Sequence, residues 1–153
     1  MTVEVRRSTA AETAPLRQRV LRPHESLPLD GDGDPTAVHL AGLRDGEVVG
    51  SANVRPEPAP FPVEGTAWRL RGMATADGGR SADVGAAVLD AAVAEVLAGG
   101  GDVLWCNART PAQRFYEREG FATVGEPWED PAIGPHVRMV RRLRPAGPTA
   151  SSP

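Results

Sequence analysis

The side chains of this sequence that could exchange a proton near neutral pH are few and lie far apart along the chain. The candidates for a general base, by residue type, are His24, Glu25, His39, Glu129, Asp130 and His136. His136 begins a strand-like run, where its imidazole could face a cleft, although a single histidine at a strand start is more often structural. No cluster of histidines and cysteines has metal-ligand spacing, so we predict no metal site.

Cys106 is the one cysteine of the chain. A nucleophilic cysteine needs a neighbouring base, and the sequence has no Cys-His-Asp arrangement. We therefore interpret Cys106 as a small buried side chain within a strand. A single cysteine excludes an internal disulfide, and the first residues lack the apolar segment of a secretion signal. Both features predict a cytoplasmic protein.

The stretch from Ala67 to Ala98 has the pattern of a ligand-binding strand, loop and helix. Apolar and polar side chains alternate from Ala67 to Thr75, which predicts a strand. A polar, glycine-rich loop runs from Ala76 to Asp83, and helical spacing of apolar residues begins at Val84. The first turn of a helix has unpaired N–H groups and a positive dipole end, so this arrangement suits a pyrophosphate group.

The amino-acid composition is that of an ordinary globular protein. The 153 residues are most simply one domain, and 41% of them are hydrophobic. A formal net charge of -3 argues against a general nucleic-acid binder. No apolar run approaches the length that spans a membrane, so we expect neither nucleic acid nor a membrane as a partner.

The rest of the chain alternates short strands with helices. We predict strands at Thr2–Arg7, Ala37–Leu43, Glu47–Val54, Asp102–Asn107, Phe121–Val124 and His136–Leu143. We predict helices at Thr9–Val20 and from Arg109 to Gly120, the second capped by Thr110, with loops at Arg22–Pro35, Arg55–Gly65 and Gly125–Pro135. Asp45-Gly46 is a strong hairpin signal. The fold class is therefore α/β with a mixed sheet covered by helices, followed by a disordered tail at residues 144–153.

Three blocks of the sequence resemble the GCN5-related N-acetyltransferases, the GNAT superfamily, in a branch of small bacterial proteins. The blocks are WRLRGMAT, GGRSADVGAAVLDAA and LWCNARTPAQRFYEREGF. The resemblance extends from Thr2 to about Leu143 and implies a domain at residues 1–143. It implies the acyl-CoA N-acyltransferase fold, a central, mixed, mostly antiparallel twisted sheet flanked by helices.

The resemblance also implies acetyl-CoA as co-substrate. In the family pattern Q/R-x-x-G-x-G/A, Arg80 matches the first position and Gly85 the last, but Asp83 replaces the middle glycine. The implied cofactor-binding residues are Met73, Ala74, Thr75, Arg80, Ser81, Ala82, Asp83, Val84, Gly85, Ala86, Asn107, Arg109 and Tyr116. The Asp83 carboxylate would repel a pyrophosphate, and its alternative role is a helix N-cap. Weakened CoA binding or a shifted loop follows from this substitution.

The catalytic roles implied by the resemblance are those of an amine acetylation in a ternary complex. Tyr116 matches the tyrosine that protonates the departing thiolate, and the N–H of Met73 would bind the thioester oxygen. His136 is the candidate base, and a water chain is the alternative. Arg71, His24 and Glu25 are candidate substrate contacts.

The expected acceptor is a primary amine of a small molecule or peptide, and a homodimer is possible. The competing reading is a non-catalytic acyl-CoA-sensing or protein-interaction module with a degenerate phosphate loop.

Overall fold

The computed structural model describes residues 3–77 and 82–145. Its strands are β1 Glu4–Ser8, β2 Val38–Arg44, β3 Glu47–Pro56, β4 Ala67–Thr75, β5 Val103–Arg109, β6 Ala122–Asp130 and β7 Gly134–Arg142. Its helices are α1 Ala10–Leu21, α2 Ala82–Ala98 and α3 Gln113–Arg118, and a short 3-10 helix, Thr110–Ala112, precedes α3. The predictions for Arg80, Ser81 and residues 146–153 lie outside the described residues.

The strands form one seven-stranded sheet in the order β1-β2-β3-β4-β5-β7-β6, flanked by helices. β4 and β5 are parallel, whereas β1 with β2, β2 with β3, β5 with β7 and β6 with β7 are antiparallel. The predicted mixed, mostly antiparallel sheet is therefore confirmed. The predicted hairpin is confirmed as well, because Asp45 and Gly46, at φ 54° and 81°, supply the two left-handed residues of its tight turn.

The chain groups into two compact units, Met1–Arg55 with Leu70–Glu95, and Pro56–Arg69 with Val96–Pro153. In the first unit, Thr9 is the N-cap of α1, and its hydroxyl accepts a hydrogen bond from the Glu12 N–H at 3.1 Å. Gly42 and Gly50 of the β2–β3 hairpin lie beneath Val84 and Val88 of α2. These two glycines let the first turns of α2 approach the sheet closely.

The second unit is built around Trp105 of β5. The Trp105 indole N–H donates to the Glu57 carbonyl at 3.0 Å, and its ring meets Phe61 edge-on, with the ring centroids 6.3 Å apart. The Arg69 guanidinium lies 4.9 Å from the same ring centroid. These contacts hold the proline-rich segment before β4 against the sheet.

Two predicted elements are wrong at their boundaries. The predicted loop Gly125–Pro135 is largely strand, because β6 pairs with β7 as far as Asp130 after an irregularity between Val124 and Trp128. Gly125 and Pro127 suggested a loop. Both residues lie at a break in an edge strand, however, and the strand pairs with its neighbour before and after that break. Thr110 is the first residue of the 3-10 helix and makes no side-chain cap.

The end of the described chain is held by side-chain contacts. Arg144 donates to the Leu97 carbonyl at 2.8 Å and lies 3.6 Å from the Asp102 carboxylate. Within residues 3–77 and 82–145, no helix has both the length and the apolar character needed to cross a membrane.

Gly50→Ala should lower stability, because a Cβ at Gly50 would lie 2.7 Å from Val84 Cγ1 and 3.1 Å from Val88 Cγ2. We expect a loss of about 1–3 kcal/mol in the free energy of unfolding, measured by chemical denaturation, since the β-branched valines cannot retreat without moving α2. Gly33→Ala is the matched control, because a Cβ there would meet nothing within 4 Å. Equal losses in both variants would contradict this packing argument.

Candidate active site

The second half of β4 has an open edge. The parallel ladder between β4 and β5 pairs Ala67 with Val103, Trp68 with Leu104 and Arg69 with Trp105. No further pair of this ladder is present among the described residues of the two strands, so the segment of β4 from Leu70 to Ala74 extends beyond the ladder on that side. Because alternate N–H groups of a strand point to each edge, this segment has backbone donors available to a ligand. The predicted cofactor residues Met73 and Ala74 lie in it, and Thr75 follows as the last residue of β4.

The start of α2 contains the predicted residues that the structure describes from the phosphate loop. The helix begins at Ala82, so Asp83 lies inside its first turn and the N-cap interpretation of Asp83 is wrong. The Asp83 side chain is 68% exposed and its carboxylate lies 3.3 Å from the Arg44 guanidinium. Val84 and Gly85 are buried and Ala86 is half-buried. A carboxylate at this position is favourable for the helix dipole and unfavourable for a bound phosphate.

A cleft of about 460 Å³, partly open to solvent, lies within the first unit. Its lining comes from α1, the following loop, β3 and β4, namely Arg17, Leu21, Arg22, Glu25, Leu29, Asp30, Asp32, Asn53, Arg55, Arg71 and Gly72. Two predicted substrate contacts, Arg71 and Glu25, therefore share one cleft. The third, His24, is exposed and does not line it.

Sequence reasoning missed the charged residues that dominate this cleft. Arg17 and Arg55 are buried, and Asp32 and Asp34 bind them from the loop after α1. The signal was the run Asp30-Gly-Asp-Gly-Asp34, whose aspartates recur at every second position. Nothing in the sequence indicated which distant arginines would meet them.

His39 is a buried polar residue of β2 and is 7% exposed. Neither of its ring nitrogens has a hydrogen-bond partner. Burial lowers the pKa of His39, and the nearby positive charge of Arg17 lowers it further. The imidazole is therefore neutral at physiological pH. Its cross-strand partner is Asn53, which lines the cleft, whereas His39 itself does not.

Tyr116 lies in α3 of the second unit and is 6% exposed. Its ring meets Phe115 and Phe121 edge-on, each with a centroid separation of 5.3 Å. Burial raises the pKa of the Tyr116 hydroxyl well above its usual value, and Cys106 adds to this shift. The hydroxyl is therefore protonated throughout the neutral range.

Cys106 packs as the sequence interpretation requires. It is 2% exposed, and burial raises the pKa of its thiol to about 12. A thiol in this state is not a nucleophile at neutral pH, so the interpretation as a buried strand side chain is confirmed.

Within the second unit, β5 and β7 place Arg109 and His136 opposite each other as cross-strand partners. His136 is 5% exposed and stacks on Trp128, with a centroid separation of 5.7 Å. Its Nδ1 lies 2.8 Å from the Gly134 carbonyl. Because a carbonyl oxygen only accepts, Nδ1 is the donor of this hydrogen bond, which fixes the tautomer in which Nε2 is the acceptor.

The other candidates in the second unit have different surroundings. Asn107 is half-buried on β5, and its Oδ1 is buried without a hydrogen-bond partner. Asp130 accepts backbone N–H bonds from Ala132 and Ile133, which is the role of a turn residue. Glu129 is exposed on β6. Among the described residues, no group of three or more histidines, cysteines or carboxylates could hold a metal ion.

The comparisons with known proteins show the class to which this strand and helix belong. The sequence model of the acetyltransferase (GNAT) family matches residues 6–121. YitI of Bacillus subtilis (strain 168), named an uncharacterized N-acetyltransferase, is 34% identical over 145 residues, which are 93% of this chain and 97% of that protein.

Solved structures show the same fold. Escherichia coli ElaA has a TM-score of 0.71 and 21% identity, and the match covers 92% of this chain and 100% of that one. An aminoglycoside 6'-N-acetyltransferase complexed with coenzyme A has a TM-score of 0.71 and 14% identity, over 93% of this chain and 98% of that one. The chain belongs to the GNAT family and is an acetyltransferase. The family uses acyl-CoA, so the resemblance seen in the sequence is confirmed for the fold and the class of enzyme.

The burial of His39 predicts a loss of stability in mild acid. The pKa of His39 is lower in the folded chain than in the unfolded one, where it is near 6.5, so the unfolded chain takes up this proton first as the pH falls. The His39 contribution to stability is complete above the unfolded pKa and is lost as the pH falls towards the folded pKa. His39→Asn should therefore reduce the loss of unfolding free energy between pH 7 and pH 5, measured by denaturant titration.

His24→Asn is the matched control for this measurement, because His24 is exposed. It should retain the pH dependence of the wild-type protein. A His39→Asn variant with the wild-type pH dependence would show that the buried imidazole is not the group responsible.

Proposed function

We propose that this enzyme transfers an acetyl group from acetyl-CoA to a primary amine of a small molecule or peptide, by direct attack in a ternary complex. The edge of β4 from Leu70 to Ala74, beyond the last pair of the β4–β5 ladder, is the observation that carries the proposal, because it offers backbone donors to an extended ligand. Family membership and the neighbouring structure that contains coenzyme A support the same donor.

The residues that we assign to acetyl-CoA are those implied by the family pattern. We assign Met73, Ala74 and Thr75 to the acyl and pantetheine portion, and the first turn of α2, with Val84, Gly85 and Ala86, to the pyrophosphate. Ala82 and, outside the described residues, Arg80 and Ser81 belong to the same proposed phosphate site. Asn107 and Arg109 are proposed contacts from β5, and the buried, unpartnered Oδ1 of Asn107 supports a polar ligand there. When bound, acetyl-CoA supplies an activated thioester.

Tyr116 is the proposed general acid. Its hydroxyl stays protonated because burial raises its pKa, so it can supply a proton at neutral pH. In the proposed step, the amine nitrogen forms a bond to the acetyl carbonyl carbon and the carbon–sulfur bond breaks. The Tyr116 Oη proton goes to the departing sulfur, and the proton lost by the amine goes to the base.

We assign the base to His136, because the Nδ1 bond to the Gly134 carbonyl leaves Nε2 as a proton acceptor. A chain of water molecules is the alternative, and it requires no side chain. The competing non-catalytic role is disfavoured, because the chain belongs to an enzyme family and retains Tyr116 of the family motif.

The acceptor is proposed to bind in the cleft of the first unit, which Arg71 and Glu25 line. His24 lies outside its lining, so we give it no contact with the acceptor. Aminoglycosides are the acceptors named for two similar structures, at 18% and 14% identity, and such a likeness defines the fold alone. A cytoplasmic location and a homodimer stay predictions.

Acetyl-CoA should bind the wild-type protein with micromolar affinity, and Asp83→Asn should tighten that binding. Removal of a carboxylate from the first turn of α2 removes its repulsion of the pyrophosphate, which we expect to improve Kd about two- to fivefold at low salt. Calorimetric titration at low and high salt measures both values, and salt should reduce the difference. Asp90→Asn is the matched control, since Asp90 is an exposed aspartate of the same helix about 10 Å further along its axis.

No binding of acetyl-CoA to a demonstrably folded wild-type protein would refute the proposed donor. Equal effects of Asp83→Asn and Asp90→Asn would refute only the placement of the pyrophosphate beside Asp83.

Tyr116→Phe should lower kcat about a hundredfold or more, because it removes the proton for the leaving sulfur. The ring still packs between Phe115 and Phe121, so we expect the Kd for acetyl-CoA and the Tm to change little. Release of free CoA thiol measures the rate. Phe115→Leu is the control for packing, because it alters the neighbouring ring and keeps the hydroxyl. A Tyr116→Phe variant with the wild-type kcat would exclude the acid role.

A further inference from the structure

The loop after α1 presents three aspartates, and each one binds a different arginine of the first unit. Asp30 meets Arg71 of β4, Asp32 meets Arg17 of α1, and Asp34 meets Arg55 of β3. All three arginines line the cleft described above. We name the run Asp30–Asp34 the acidic loop. The acidic loop thus acts as a set of internal counterions for guanidinium groups that come from three separate elements.

The three ion pairs differ greatly in strength. Arg17 and Asp32 are joined by two hydrogen bonds, at 2.8 and 3.1 Å, and their side chains are only 4% and 8% exposed. Such a pair is part of the folded core, because either partner alone would leave a buried charge. It anchors the acidic loop to α1.

Arg55 is also committed to protein partners. It binds the Asp34 carboxylate at 2.9 Å and the Asn53 side-chain oxygen at 3.0 Å, and it is 8% exposed. Both terminal nitrogens of its guanidinium therefore have protein partners, whereas its buried Nε has none.

Arg71 is held much more weakly. One guanidinium nitrogen lies 3.4 Å from the Asp30 carboxylate, which is long for a charge-assisted hydrogen bond, and the Asp30 side chain is 90% exposed. An exposed ion pair of this kind contributes little stability, because water competes for both groups. Arg71 itself is only 26% exposed, so its charge sits at the wall of the cleft with an exchangeable counterion.

At Gly31 the backbone of the acidic loop lies very close to the arginines of the cleft. Gly31, at φ +86°, lies so close to the guanidinium groups that a Cβ there would be 2.8 Å from Arg71 Nη1 and 3.2 Å from Arg55 Nη1. Two guanidinium groups thus converge on one glycine. Their mutual repulsion favours an anion beside them, and the exposed Asp30 carboxylate neutralises only part of this positive charge.

We propose that the amine acceptor of this enzyme is a small molecule that also carries a carboxylate or a phosphate, and that this anionic group binds Arg71 by replacing Asp30. The proposal rests on the proposed function, in which Met73 faces the acetyl group. Arg71 and Met73 are separated on β4 only by Gly72, whose φ is +63°, so their Cα atoms are at most about 7 Å apart. An anion held at Arg71 therefore places an amine of the same small molecule near the acetyl group.

A cationic ligand of the acidic loop fits the contacts less well. Aspartates at alternate positions are typical of Ca²⁺ loops, but Asp32 and Asp34 are already bound to guanidinium groups. Asp30 alone remains exposed. The oxygens that a cation would need are thus taken by arginines, whereas the planar fork of Arg71 matches the two oxygens of a carboxylate or phosphate.

The test compares matched acceptors that differ only in the anionic group. Amino acids are paired with their amides, and phosphoethanolamine with ethanolamine, with acetyl transfer measured as CoA thiol release. Arg71→Gln should lower kcat/KM for the charged member of a pair about tenfold or more and change the neutral member less than about twofold. Asp30→Asn should raise kcat/KM for the charged member about two- to fivefold, because it removes the competing carboxylate. The acceptor pair whose kcat/KM values change more in these variants indicates whether the anionic group is a carboxylate or a phosphate.

Two variants control for charge and for folding. Asp45→Asn removes an exposed carboxylate at the turn of the β2–β3 hairpin, at the far end from Asn53 and Arg55, and Arg19→Gln removes an exposed guanidinium from α1. Neither should alter the preference for charged acceptors. Equal loss on charged and neutral acceptors in Arg71→Gln, or a lower rate with charged acceptors in Asp30→Asn, would overturn the proposal and leave acetyl transfer intact.

A binding measurement separates this proposal from the proposed function. Succinate and inorganic phosphate are titrated calorimetrically into the protein without acetyl-CoA. Binding of either probe that is lost in Arg71→Gln and tightened in Asp30→Asn supports the anion site even if no amine is acetylated. Absence of binding by both probes, together with acetylation of neutral amines at the rate of their charged partners, overturns the anion site and leaves the enzyme assignment standing.

Discussion

The structure depends on how the two edges of β4 are used. A strand must pair its N–H and C=O groups, leave them to water or offer them to a ligand. β4 pairs with β5 over only three residue pairs and then continues for six residues beyond Arg69. The β4–β5 ladder therefore leaves the segment from Leu70 to Ala74 beyond its last pair, within the order of the sheet.

Small residues in the sheet set the position of α2. Gly42 and Gly50 let Val84 and Val88 approach the sheet, so the first turns of α2 lie close to the strands. A larger side chain at either glycine would push the helix outward. The position of the helix N-terminus, which is the positive end of its dipole, thus depends on the absence of two Cβ atoms.

The acidic loop combines a buried ion pair with an exposed one. Its central aspartate is locked into the core by Arg17, while Asp30 remains at the surface beside Arg71. The buried pair holds the loop in place, so the exposed pair can exchange without unfolding it. Arginines in this cleft are therefore kept in position whether or not a ligand is bound.

Much of the fold followed from patterns that are local in the sequence. The alternation from Ala67 to Thr75 predicted β4 at its observed bounds, and Asp45-Gly46 predicted the hairpin, because both signals depend on neighbouring residues alone. The family motif likewise singled out Tyr116. Local signals failed where pairing with a distant strand decided the outcome: β7 draws the glycine- and proline-containing segment after Val124 into β6.

The sequence by itself determined the element types, the GNAT family and the residues of its motif, since all of these are written in short stretches of chain. Only the tertiary structure decided which arginine meets which aspartate, and that His39 and Tyr116 are buried. These properties arise from residues far apart in the chain, such as Asp30 and Arg71, whose proximity no local pattern encodes. Charge and burial at a site are consequences of folding, because both depend on what surrounds a group in space.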